Sequence, residues 1–166
     1  MTMKMRNYAL VGVLSLVALL ASCGDSNPQS EPQATGPGQG LTRAAEAPLY
    51  NIEIIGNVRS PLGIKNLRVA AAGDLTVLGW AVDPVRKDAG SGVEVVVDGV
   101  VYPATSGIKR GDVADHFQIP GYMASGYAVE IPAHSLAKGQ HQVTVRVIAT
   151  DGRTYLESPP LIFTLL

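Results

Sequence analysis

Along the C-terminal two thirds of the chain, apolar positions recur at every second residue, the period of an extended strand with one buried face. Val93, Val95 and Val97 alternate with Glu94, Val96 and Asp98, and Val143, Val145, Val147 and Ala149 alternate with Gln142, Thr144, Arg146 and Ile148. Tyr127, Val129 and Ile131 follow the same rule up to Pro132, as do Tyr50, Ile52 and Ile54 ahead of Gly56. Residues 75–82, LTVLGWAV, are apolar on both faces, which predicts a central strand with cover on each side, stopped by Asp83 and Pro84. Residues 67–71 form a further short candidate, and 161–166, behind Pro159 and Pro160, suit an edge or sheet-switching strand.

Hairpin signals punctuate these runs. Asp98 and Gly99, just before Val100, Val101 and Tyr102, predict a two-residue turn, because both tolerate the positive φ of a type I′ turn. Thr150, Asp151, Gly152 and Arg153 predict a second one ahead of Thr154, Tyr155 and Leu156. No amphipathic run is long enough for a good helix, and 103–125 reads as a long irregular connection. About seven short strands over residues 50–166 predict an all-β domain, a β-sandwich.

The N-terminus follows another pattern. Residues 8–21, YALVGVLSLVALLA, are uninterruptedly apolar or small and follow Lys4 and Arg6, which is a signal-peptide pattern too short to span a bilayer comfortably. The sequence LASC at 20–23 resembles a bacterial lipobox, so 1–22 is read as a lipoprotein signal peptide and Cys23 as the lipidated residue. Cys23 is the only cysteine of the chain, so an internal disulfide is excluded and lipidation gives that thiol a role. Residues 23–49, with Pro28, Pro32, Pro37 and Pro48 among Gly, Ser, Gln and Asn, hold too few large apolar groups to offset ordering entropy and are read as a flexible tether. The expected address is the cell envelope. Gly24, where enterobacterial lipoproteins with an inner-membrane signal have Asp, favours the outer membrane if the host has two.

Charge adds an exclusion. Removal of Lys4 and Arg6 leaves 11 basic against 14 acidic residues, and no basic stripe is present, which argues against a nucleic-acid partner.

Several motifs in order, GWAVDP at 79–84, VEVVVDG at 93–99, RGDVA at 110–114, SGY at 125–127 and LAKGQHQVTVRV at 136–147 with Asp151 and Gly152, resemble an immunoglobulin-like module attached to many bacterial exported or surface proteins. The resemblance covers 74–166, with Gly111 where that family often has Pro. It implies an immunoglobulin-like sandwich of a non-catalytic, appended kind. Trp80 is then expected in the inter-sheet core, Gly79 at a close backbone approach, and Leu136 as a plug where the chain crosses between sheets.

Candidate chemistry is sparse. His116, His134 and His141 lack zinc-ligand spacing, and Ser125, His134 and Asp151 make a triad only on paper, with no nucleophile elbow around the serine. Asp83, Asp98, Asp112, Asp115 and Asp151 fall at strand ends without the regular calcium-loop spacing, and are read as acceptors of turn N–H groups. Arg110, Gly111 and Asp112 spell an integrin-recognition tripeptide, read instead as a structural Arg–Asp pair. No cofactor is expected. The contact candidates are Tyr102, Arg110, Asp112 and Tyr122, in or beside the 103–125 connection, since binding residues concentrate on loops set on a rigid scaffold. The expected function is a non-enzymatic envelope lipoprotein, tied to the membrane through Cys23, whose domain contacts an envelope protein or glycan. An accessory carbohydrate-binding module is the alternative, and a small hydrolase comes third.

Overall fold

A computed structural model describes residues 40–166. The signal peptide expected over 1–22, the lipid on Cys23 and the tether as far as residue 39 lie outside the described residues. Two β-sheets pack together around one core. The strands are β1 (Thr42–Arg43), β2 (Leu49–Ile55), β3 (Val58–Arg59), β4 (Arg68–Val69), β5 (Leu75–Val82), β6 (Gly92–Val97), β7 (Val100–Pro103), β8 (Thr105–Ile108), β9 (Gly126–Ile131), β10 (Gly139–Ile148), β11 (Thr154–Glu157) and β12 (Leu161–Leu165). One short helix, α1 (Gly111–Phe117), lies between β8 and β9.

The seven-stranded sheet is built on β10, which pairs with β6 on one side and with β11 and then β12 on the other. β7 borders β6, while β1 and β4 add short parallel pairings to β11 and β12. The five-stranded sheet runs β3-β2-β5-β9-β8. Ala104 carries the chain from one sheet to the other between β7 and β8. Pairing begins at Thr42, eight residues before the sandwich boundary expected at residue 50, because β1 finds an open edge on β11.

The alternation places the core as expected in most strands. Val95, Val143, Val145, Val147 and Ile131 are wholly buried between the sheets, with Val93, Val97, Tyr127 and Phe163 beside them. Both hairpin turns form. Asp98 and Gly99 have φ of 50° and 86°, and the Asp151 carboxylate accepts the N–H groups of Arg153 and Thr154. Where β11 gives way to β12, Pro159 and Pro160 have no N–H to offer. Buried Ser158 bridges the gap: its N–H donates to the Val145 carbonyl at 2.9 Å, and its hydroxyl accepts the Val145 N–H at 2.9 Å.

Three expectations change. In β2 a bulge at Glu53 shifts the register between Ile52 and Ile54, so Ile52 and Ile55 face the core and Ile54 does not. Trp80 is not in the inter-sheet core. It stands on the outer face of β5 with Val82, where Val113, Ala114, Phe117 and Tyr122 form a second, smaller apolar cluster over it. The 103–125 connection is therefore ordered, containing β8, α1 and a one-turn 3₁₀ helix at Pro120–Tyr122. Phe117 meets Trp80 and Tyr122 edge-on, at centroid distances of 5.8 and 5.6 Å. This helix supplies the second cover that the two-sided apolar pattern of 75–82 predicts.

Gly79 fulfils its expected role. A Cβ there would lie 1.9 Å from the Asn51 carbonyl oxygen, which also accepts the Tyr127 hydroxyl at 3.3 Å. The bulged β2 backbone thus presses on β5 where β5 has no side chain. Gly79→Ala is expected to cost about 3 kcal/mol in urea unfolding, since β2 must move, while Gly92→Ala in open space costs less than about 0.5 kcal/mol.

Candidate functional site

The contact candidates read from the sequence are built into the scaffold. The Arg110 guanidinium donates to both carboxylate oxygens of Glu53, at 3.0 and 2.8 Å, and to both of Asp112, at 2.9 and 2.6 Å. The hydrogen bond to Arg110 is the main reason that the Asp112 pKa falls to about 2, and the same pairing raises that of Arg110. The tripeptide at 110–112 is consequently a clamp: it ties the first turn of α1 to the β2 bulge. Tyr122 is corrected as a contact residue. It is 1% exposed, because the 3₁₀ turn folds its ring under α1, where burial raises its pKa. Tyr102 points toward the core edge, half-buried, and donates to the Ser135 hydroxyl at 3.2 Å.

Of the five aspartates expected at strand ends, Asp83, Asp98 and Asp151 accept backbone N–H groups, whereas Asp112 and Asp115 lie in α1. Asp83, fully buried, accepts the N–H groups of Val85 and Arg86 at 2.8 and 3.0 Å and pairs with the Arg86 guanidinium, which reaches on to Asp151. Asp88 accepts the Gly90 N–H and the Thr150 hydroxyl. These bonds lock the loop after β5 to the β10–β11 turn. Among the described residues no group of three or more His, Cys, Asp or Glu is placed to hold a metal ion. The paper triad is not assembled by any hydrogen bond. Ser125 is 1% exposed, and the Asp151 carboxylate is committed to Arg86, Arg153 and Thr154.

A groove on the outer face of the seven-stranded sheet is the surface with convergent polar chemistry. Its floor is Val96 and Gly99, its walls are Arg43, Asp98, Gln142, Thr144, Arg146 and Glu157, and it encloses about 230 Å³. Strand periodicity places Gln142, Thr144 and Arg146 in one outward row of β10. Glu157 lies across from Arg146, accepts from its Nε at 2.9 Å and from the Thr144 hydroxyl at 3.1 Å, and forms an ion pair with Arg43 at 3.2 Å. Arg146 also covers the Tyr155 ring, 4.7 Å from its centroid. The outward row is visible in the sequence. Arg43 is not, since only the parallel β1–β11 pairing carries it there.

His141 supports the groove from beneath. Its Nδ1 meets the Asp98 carboxylate at 2.6 Å and its Nε2 the Ala137 carbonyl at 2.7 Å. Both partners are acceptors, so both nitrogens are satisfied only in the protonated ring. Desolvation opposes that charge most strongly, but the bonds to Asp98 and Ala137 outweigh it and raise the His141 pKa above 6.5. Asp98 is likewise disfavoured by desolvation yet lowered below 3.8 by the Gln142 N–H and His141. Comparison with protein-family models, curated proteins and solved structures finds no match for this chain.

A raised folded pKa stabilises fully below pH 6.5 and loses that contribution as pH rises through the folded value; the lowered Asp98 pKa stabilises above pH 3.8 and fails as pH falls through its folded value. The thermal midpoint of the wild type should therefore exceed that of His141→Gln by more at pH 6 than at pH 8. A gap independent of pH would refute the charged ring. Arg110→Ala should speed amide exchange across 111–117 by about tenfold or more, with the β10 core amides unaffected.

Proposed function

We propose that this chain is a non-enzymatic cell-envelope lipoprotein, anchored by a lipid on Cys23, whose immunoglobulin-like domain binds an envelope glycan in the groove over Val96. The observation that carries the reading is the convergence of donors and acceptors from three strands, β1, β10 and β11, on a small apolar floor. A sugar ring offers that combination in reverse, with hydroxyls at its edge and C–H groups on its face. Arg43, Arg146 and Glu157 are planar charged groups suited to adjacent hydroxyls, and charge-assisted bonds of this kind are the strong ones. Arg146 and Glu157 hold each other in place, so little ordering is required on binding.

An aromatic stacking platform has less support. Tyr122 is buried and the Tyr155 ring is already covered by Arg146. Protein contact by strand addition is also disfavoured at β8, where the register shift between Ser106 and Ile108 and the positive φ of Gly107 distort the edge.

The test is a binding screen of envelope polysaccharides and proteins against the wild type and against Gln142→Ala and Thr144→Val. Glycan binding weakened about tenfold or more by either change, with an unaltered thermal midpoint, is the expected result. Retention of one stoichiometric protein that is indifferent to both changes would overturn the glycan assignment and leave a protein-contact module. In the same preparation, Cys23→Ser should release the protein from the membrane fraction.

A further inference from the structure

The segment between β2 and β5 carries a surface that the groove does not use. Ile54 through Gly73 contains Arg59, Lys65 and Arg68 and no acidic residue. None of the three cations makes an ion pair among the described residues; Arg43, Arg86, Arg110 and Arg146 do, while Lys87, Lys109, Lys138 and Arg153 do not. Between them stand Leu62 and Ile64, 37% and 45% exposed.

The loop has a fixed neck and a presented tip. Asn57 donates its N–H to the Ala70 carbonyl at 3.2 Å and accepts the Ala70 N–H on its side-chain oxygen at 2.8 Å. Leu67 and Val69 are anchored in the core, and Pro61 is buried at the root of the tip. An Ile64 N–H bond to the Pro61 carbonyl at 3.1 Å closes a turn around Leu62 and Gly63, with Gly63 at φ 86°. Two branched apolar side chains are thus held in water on a segment that also carries three cations without an ion pair.

From this arrangement we infer that the 59–68 loop docks on the anionic face of a lipid bilayer, Leu62 and Ile64 entering the interface while Arg59, Lys65 and Arg68 meet lipid phosphates. A free phosphate or a polyanion would satisfy the cations but give no reason for the apolar tip; a bilayer interface accommodates both. The acidic residue that follows the segment, Asp74, makes no ion pair with the three cations; its carboxylate accepts the Ala133 N–H at 3.1 Å. Arg68, at the base of the loop, lies at the Gly139 end of β10, and Arg43 lies at the Ile148 end. The inference does not depend on the groove or on Cys23.

Hydrogen exchange of the full chain, carrying whatever anchor it has, localises the effect. Vesicles of phosphatidylcholine with about one third phosphatidylglycerol should protect amides of 60–66, while phosphatidylcholine alone should not. Each of Arg59→Gln, Lys65→Gln and Arg68→Gln should weaken that protection about fivefold in the lipid titration, and Leu62→Ser with Ile64→Ser should abolish it. Circular dichroism of the same variants confirms the fold, since all five side chains are exposed. Unchanged exchange at 60–66 with anionic vesicles, equal protection by neutral vesicles, or equal protection by a soluble polyphosphate would each overturn the inference.

Discussion

Close packing of two facing rows of β-branched side chains is the constraint on which the rest of the structure depends. Val143, Val145 and Val147 on β10 and Val95 on β6 are fully buried against Ile55, Val77 and Ile131 of the opposite sheet. Each fully buried side chain of this kind contributes on the order of 2 kcal/mol, and no disulfide can be formed within the chain to share the task. A one-residue slip in any of these strands would turn a whole row to solvent, so the register is strongly specified. Turns, cap and surface sites all take their positions from it.

One local departure from that register organises the other face of the five-stranded sheet. The bulge at Glu53 lets β2 keep Ile52 and Ile55 inside, and the missing side chain at Gly79 lets its backbone approach β5. The bulge also places the Glu53 carboxylate where Arg110 can receive it. Arg110 in turn holds Asp112 at the head of α1, and α1 covers Trp80 and Val82. Seven residues make too short a helix to be stable alone, so α1 is held by this clamp and by the apolar cluster beneath it.

The polar groups are divided between fixed and available. Asp83, Asp88 and Asp151 lock loops, and Asp98 with His141 locks a hairpin, each through bonds that leave little capacity for a ligand. The groove over Val96 keeps its walls paired yet open. The 59–68 loop keeps its cations without partners among the described residues. We propose the groove for a hydroxylated ligand and the loop for an anionic interface.

Period-two alternation in the sequence alone determined the mainly β character and the buried rows of β6, β9 and β10, and the Asp-Gly pairs determined the two hairpins at Asp98–Gly99 and Asp151–Gly152, because these are local properties of neighbouring residues. Its Gly79 and the Arg110–Asp112 pair were also legible, the first as a glycine within a strand and the second as opposite charges two positions apart. Tertiary structure alone decided that Trp80 faces a helix rather than the other sheet, and that Tyr122 is buried. It also brought Arg43, Arg146 and Glu157 together around one groove. Those outcomes rest on a short helix packing over the outer face of β5 and on pairings between residues far apart in the chain, and neither is a property of neighbouring positions.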